Sequence, residues 1–301
     1  MRAVRQRTLS SPVELTGVGL HSGAPCRIVI RPVSEHSGII FRRSDLETDV
    51  RGGRKHLLIP AHPANVARTH NGTTLANSDG VSVMTVEHLM AAFALLSVDN
   101  AFVDVCGEEI PILDGSAAPF VNALTEAGLT AQNARREEVT LEKPIEVRKG
   151  ERFIRIEPAD RFRLDVAIAF EDCMIGRQSL SISLSDPAAL DRLAQSRTFC
   201  QLREIEALRS AGLVKGGSLE NSLVVDGQRL YADQELRDPE EFVLHKALDL
   251  LGDLYLLGGA LNAAVTAEKP GHDLNVCAAQ AIAEQLGSRK DEAWAAEAAT
   301  A

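Results

Sequence analysis

The chain has 301 residues, 45% of them hydrophobic and 25% charged, the balance of a globular protein with room for two ordinary domains. A net charge of −10, one Trp and two Tyr argue against a nucleic-acid partner, which would be met by basic and aromatic side chains. Five cysteines, odd in number and without a CxxC, read as reduced thiols of a cytoplasmic chain, and no run reaches about 18 uninterrupted apolar residues, so no membrane span is expected. The N-terminus lacks the apolar core of a signal peptide, and nothing in the sequence points to an oligomeric partner.

In chain order, "RQRTLSSPVELTGVGLHSGAPCRIVIRPV" alternates β-formers with Gly-rich turns and predicts short strands, as does "GIIFRR". "TVEHLMAAFALLSV" predicts a helix with Thr85 capping its first turn. "NAFVDVCG" and "EIPILDG" read as strands, and "SAAPFVNALTEAGL" as a helix ending at Gly128. The polar, aperiodic "TAQNARREEV" is the candidate linker. Strands then return in "PIEVRKGERFIRIEP" and "FRLDVAIAF", and helices in "LAQSRTFCQLREIEALRSAGL" and "DPEEFVLHKALDLLGDLYLLG". Asp238 suits an N-cap of the latter, with Pro239 at N1 and Glu241 at N3. "ALNAAVTAEKPGHDLN" predicts a strand and a turn, and "HDLNVCAAQAIAEQLG" a last helix. Strands followed by helices, twice, predict an α+β fold of two layered domains, residues 1–130 and 131–285, with 286–301 a flexible tail.

The segment "FVLHKALDLLGDLY" is apolar nearly all round, yet His245, Asp249 and Asp253 stand at i, i+4 and i+8. At about 100° per residue they share a sector of roughly 80°, with Lys246 at its edge close to Asp253. A solvated face fits poorly, because Leu248 and Leu256 flank the stripe. A core histidine bonded to a carboxylate is the ordinary alternative to a functional site. For a metal, His245 and Asp249 supply two ligands one turn apart, and catalytic zinc commonly takes three.

HExxH is absent. His21, His36, His56, His62 and His70 lie in loop-like text, whereas His88 opens an apolar helix directly after Glu87. Glu87 would favour the helix dipole in any case, and His88 could be a partly buried helix residue. The functional alternative has His88 binding the metal while Glu87 takes a proton from water. His272, in the turn "EKPGHDLN", is either a polar turn residue or a general acid oriented by a carboxylate such as Asp253.

"TGVGLHSG", "TVEHLMAA", "EIPILDGSAAPFV", "SRTF", "GGSLEN", "EEFVLHKALDLLGDL" and "KPGH" occur in this order. From about residue 4 to about residue 285 the chain resembles the UDP-3-O-acyl-N-acetylglucosamine deacetylase family of lipid A biosynthesis. The resemblance implies a zinc hydrolase, with iron as a competing metal, whose two domains share a topology and meet at the active site. It implies His88, His245 and Asp249 as metal ligands, Glu87 as base, and His272 as acid beside Asp253. It assigns Thr198 to the oxyanion, and Lys246 to substrate binding and to positive charge in the site. Phe199 is assigned to the sugar or acyl group, Lys269 to the diphosphate and Phe170 to the uracil. Gly216 and Gly217 fall near the acyl passage. Cys200-Gln201 departs from the Gly-Phe of many members at the mouth of that passage. Three other readings stay open: a zinc amidohydrolase of another nucleotide sugar, a protein with a structural zinc, and a metal-free binding module.

Overall fold

The computed structural model describes residues 4–46 and 54–287. Most of the tail expected to be flexible, residues 288–301, lies outside them. The described residues form a mixed α+β fold of several small sheets and six α-helices.

One five-stranded sheet comprises β1 (Val13–Val18), β2 (Pro25–Arg31), β3 (Ile39–Arg43), β4 (Leu58–Pro60) and β5 (Ala101–Cys106), in the spatial order β1-β2-β5-β3-β4. The second contains β6 (Ile145–Lys149), β7 (Arg152–Pro158), β8 (Arg163–Phe170), β9 (Gly176–Ser183) and β10 (Ala260–Glu268), in the order β6-β7-β10-β8-β9. The pairing senses also match. β5 runs antiparallel to β2 and parallel to β3, and β10 does the same with β7 and β8. The alternation that makes these strands is visible in β2, where Cys26, Ile28 and Ile30 point inward between exposed or half-exposed neighbours.

Helix α1 (Glu87–Leu96) precedes β5 and α2 (Ala118–Ala127) follows it. After α3 (Pro187–Gln195) and α4 (Leu202–Ser210), α5 (Glu241–Tyr255) precedes β10 and α6 (His272–Leu286) follows it. The last turn of α6 therefore reaches into the expected tail. α5 packs on α1, α6, β8 and β9, and every α5 residue but Lys246 is buried. This is why that helix is apolar all round.

Several expectations are corrected. Thr85 does not cap α1: it has φ +57° and donates to Glu109 Oε1 at 2.8 Å, and Val86 holds the cap position. "EIPILDG" forms only a bridge from Glu109 to Met84, because Pro111 lacks an N–H and Leu113 and Gly115 have positive φ. The linker candidate is strand: Leu129–Arg135 pairs with Arg5–Leu9, and Glu138–Thr140 joins β10. Its exposed polar residues hide the pattern, since a peripheral ribbon buries little. α5 starts two residues after Pro239. Asp238 Oδ1 accepts the Glu240 N–H at 2.8 Å, and Glu241 pairs with Arg197 instead of closing a capping box. Lys246 bonds Asp249 Oδ2 at 2.6 Å, not Asp253, because i+3 is the nearer neighbour on the helix.

Candidate metal centre and active site

The first turn of α1 and the middle of α5 meet, and their side chains converge. His88 Nε2 lies 3.6 Å and His245 Nε2 3.4 Å from Asp249 Oδ1. One donor atom from each of the three residues falls within 4.8 Å of the other two, and all three residues are buried. Ligands about 2.0–2.1 Å from one tetrahedral ion stand about 3.3 Å apart, so these separations suit a single divalent cation.

Two further observations fit. Asp249 Oδ1 is a buried oxygen without a hydrogen-bond partner, whereas Oδ2 takes Lys246. An orphaned carboxylate oxygen between two imidazole nitrogens is costly unless a cation sits there. His245 Nδ1 donates to Ser196 O at 3.1 Å, which leaves the Nε2 lone pair facing Asp249. Burial pulls the His245 pKa down to about 3 against the pull of Asp249, so the ring is neutral at pH 7. Burial works the other way on Asp249, but the His245, Lys246 and His272 side chains overcome it and hold the carboxyl well below its usual range.

Glu87 lies beside this cluster without joining it. Oε2 accepts the Thr73 N–H at 2.9 Å, and Oε1 lies 3.8 Å from His272 Nε2. Burial raises its pKa, with His272 and His88 opposing. His272 opens α6. Its Nδ1 meets Asp253 Oδ2 at 2.9 Å, and its Nε2 is also 3.8 Å from Asp249 Oδ2. Burial alone would lower the His272 pKa, but Asp253, Glu87 and Asp249 outweigh it and push it up to about 9. A buried carboxylate inclined to hold a proton thus stands 3.8 Å from an imidazolium, beside the three converging donors.

Most of these groups line a cavity of about 690 Å³. His88, His245, Asp249, Glu87, His272, Thr198, Lys246, Phe199 and Gly217 are on its wall, with Cys200. Part of the wall is apolar, from Ile205 and Leu208 of α4 with Val214, Leu219 and Val224, and part is polar, from Arg152, His272 and Asp273. Gly216 is off the wall and is tied to the Gly19–Leu20 backbone: its N–H donates to Leu20 O at 3.1 Å, and any Cβ there would strike Gly19 O.

Asp253 is fully buried and stands off the cavity wall. Two candidates also stand off that wall, each only partly buried: Phe170 packs edge-on against Phe199 at 5.6 Å, and Lys269 Nζ pairs with Glu151 at 3.2 Å. Thr198 is held by its backbone, donating to Gly115 O and accepting from Leu223 N, which leaves its side chain to the cavity.

Sequence reasoning missed the residues that hold this set. Glu241 accepts the Arg197 N–H and Nε at 3.0 and 2.8 Å, pinning the segment that supplies Ser196 O and Thr198. Thr73 and Asn275 both donate to Asp253, at 2.6 and 2.9 Å. Neither carries a local signal, since each is an ordinary polar residue whose partner lies far along the chain. Arg152 was legible only as part of a strand.

The model of the UDP-3-O-acyl N-acetylglycosamine deacetylase family (LpxC) matches residues 6–284. A UDP-3-O-acyl-N-acetylglucosamine deacetylase of Phenylobacterium zucineum is 42% identical over 289 residues, 96% of this chain and 95% of the relative. Relatives of the same name from Methylococcus capsulatus and an Anaeromyxobacter strain are 43% and 44% identical, covering 90% of this chain and 88% and 86% of their own. With that likeness running through both sheets and all the converging side chains, the chain belongs to the UDP-3-O-acyl N-acetylglycosamine deacetylase family.

Proposed function

We propose that this protein removes the N-acetyl group from UDP-3-O-acyl-N-acetylglucosamine, releasing acetate, a step of lipid A biosynthesis. Family membership supports the substrate. The observation that carries the chemistry is the orphaned Asp249 Oδ1 between two imidazoles, flanked by a carboxylate and an imidazolium.

In this reading His88, His245 and Asp249 hold one divalent ion, zinc with iron as competitor. When bound, the ion supplies Lewis acidity that polarises the amide carbonyl and the attacking water. Glu87, whose pKa burial raises, takes the proton of that water as its oxygen attacks the amide carbon. Thr198 donates to the developing oxyanion, and Lys246 adds positive charge from the cavity wall. His272 Nε2 gives its proton to the amide nitrogen as the C–N bond breaks, because an amine leaves poorly unless protonated. Asp253 holds the ring through Nδ1 and favours its charged form. Phe199 contacts the sugar or acyl group. The apolar wall near Gly217 takes the acyl chain, Lys269 meets the diphosphate, and Phe170 stacks on the uracil.

The domains of this reading are residues 1–130 and 131–285, with the site at their junction. The repeated strand order supports it, as does the split of the donors between α1 and α5. The protein acts in the cytoplasm, where UDP-sugars are made and thiols stay reduced; all five cysteines are free, and no helix of the described residues is long and apolar enough to cross a membrane. Acetate release from the acylated UDP-sugar, abolished by a chelator and restored by added zinc, is the expected result. Inactivity of the zinc-loaded protein on that substrate would overturn the reading.

A further inference from the structure

We infer that Thr73 is a positioning residue that locks the proton-accepting and proton-donating sides of the site to each other. The inference rests on the function proposed above. Thr73 is fully buried and is not on the cavity wall, so it touches no substrate. Its three polar groups reach both helices. The N–H donates to Glu87 Oε2 at 2.9 Å, and the carbonyl accepts the Val86 N–H at 3.2 Å, so the backbone grips the start of α1. The hydroxyl donates to Asp253 Oδ1 on α5 at 2.6 Å, the short distance of a charge-assisted bond. Oγ1 also lies 3.3 Å from His272 Nδ1.

Asp253 uses Oδ2 for His272 and Asn275, so Thr73 is the donor to its other oxygen. Without that hydroxyl, Oδ1 is an unpaired buried acceptor. The carboxylate can then turn, and the ring it holds loses its aim. The preceding residue leaves room for the base: Gly72 has φ +150°, and a Cβ there would stand 3.1 Å from Glu87 Oε1. One short segment therefore sets the Glu87–His272 separation.

The test compares Thr73→Val, which keeps the shape and the N–H to Glu87, with Thr73→Ser, which keeps the hydroxyl. We expect Thr73→Val to lower kcat about tenfold, the scale of losing a group that orients a catalytic side chain, with KM within about twofold and metal content unchanged. Thr73→Ser should recover most of the rate. In the Asp253→Ala background Thr73→Val should add no further loss, because the hydroxyl's partner is gone. A readout independent of turnover is the low-field NMR line of the His272 Nδ1 proton, expected to move in Thr73→Val and to stay in Thr73→Ser. Wild-type turnover tests the proposed function by itself, whereas the variant-to-wild-type ratio and the NMR line test Thr73. An unchanged kcat and an unmoved line in Thr73→Val would overturn the inference. So would equal losses in the Ser and Val variants, or full additivity with Asp253→Ala.

Discussion

Gly252 of α5 lies directly against the backbone of Glu87 in α1: a Cβ at Gly252 would collide with the Glu87 carbonyl oxygen. The absent side chain lets the two helices touch, and their contact brings His88 to His245 and Asp249. Gly252→Ala should therefore destabilise the protein by about 1–3 kcal/mol through overpacking, although alanine favours a helix by about 1 kcal/mol over glycine. Thermal denaturation should show the loss, and turnover should fall because Glu87 is displaced. An unchanged or raised melting temperature would mean that the helices can separate freely.

His245→Ala removes one of three converging donors and should lose metal and activity together. Elemental analysis of the purified variant checks this. Full occupancy would mean that the ion is held elsewhere.

Glu87→Gln should behave differently. Glu87 stands beside the three donors without joining them, so the variant should keep its metal while kcat falls about 100-fold or more, the scale of a general base. Near-normal turnover would assign the proton to another group.

The His272–Asp253 pair makes a pH prediction for metal-stripped protein. The folded-state pKa is about 9, against about 6.5 for free histidine. A raised pKa means that the folded state binds the proton more tightly. Its contribution is fully present below pH 6.5 and is lost as pH rises through 9, a swing of roughly 3 kcal/mol. Melting temperature should fall across that window, and Asp253→Asn should flatten the fall. In the active enzyme the alkaline limb should move to lower pH in Asp253→Asn, because His272 loses the partner that favours its charge. An alkaline limb unmoved in both Asp253→Asn and His272→Ala would remove His272 from the role of acid.

The apolar wall formed by Ile205, Leu208, Val214, Leu219 and Val224 should make the reaction depend on the acyl chain. Burial is worth about 0.8 kcal/mol per CH₂, so a substrate that lacks even two buried CH₂ groups should lose about tenfold in kcat/KM. Equal efficiency on both substrates would show that the chain lies outside the cavity.

The sequence by itself determined much of the chemistry. The i, i+4, i+8 spacing on an apolar helix already put His245, Asp249 and Asp253 on one face, because helix geometry is local. The Glu87-His88 pair and the KPGH turn stood out through the resemblance to a family, and strands such as β2 showed their two-residue alternation. Tertiary structure decided what lies between distant segments. Thr73 meets Asp253 across 180 positions, and Glu241 meets Arg197 across 44. A lone threonine or glutamate carries no periodicity that announces such a partner. The Leu129–Arg135 strand was read as linker because its stability comes from pairing with Arg5–Leu9, not from a buried face of its own. Thr85 was read as a cap because neither its positive φ nor its bond to Glu109, 24 residues on, is encoded in local propensity. Residue types, local spacing and the resemblance to a family picked out the candidate groups. Long-range hydrogen bonds and the close helix contact at Gly252 set where each points, because those energies exist only once the chain has closed on itself.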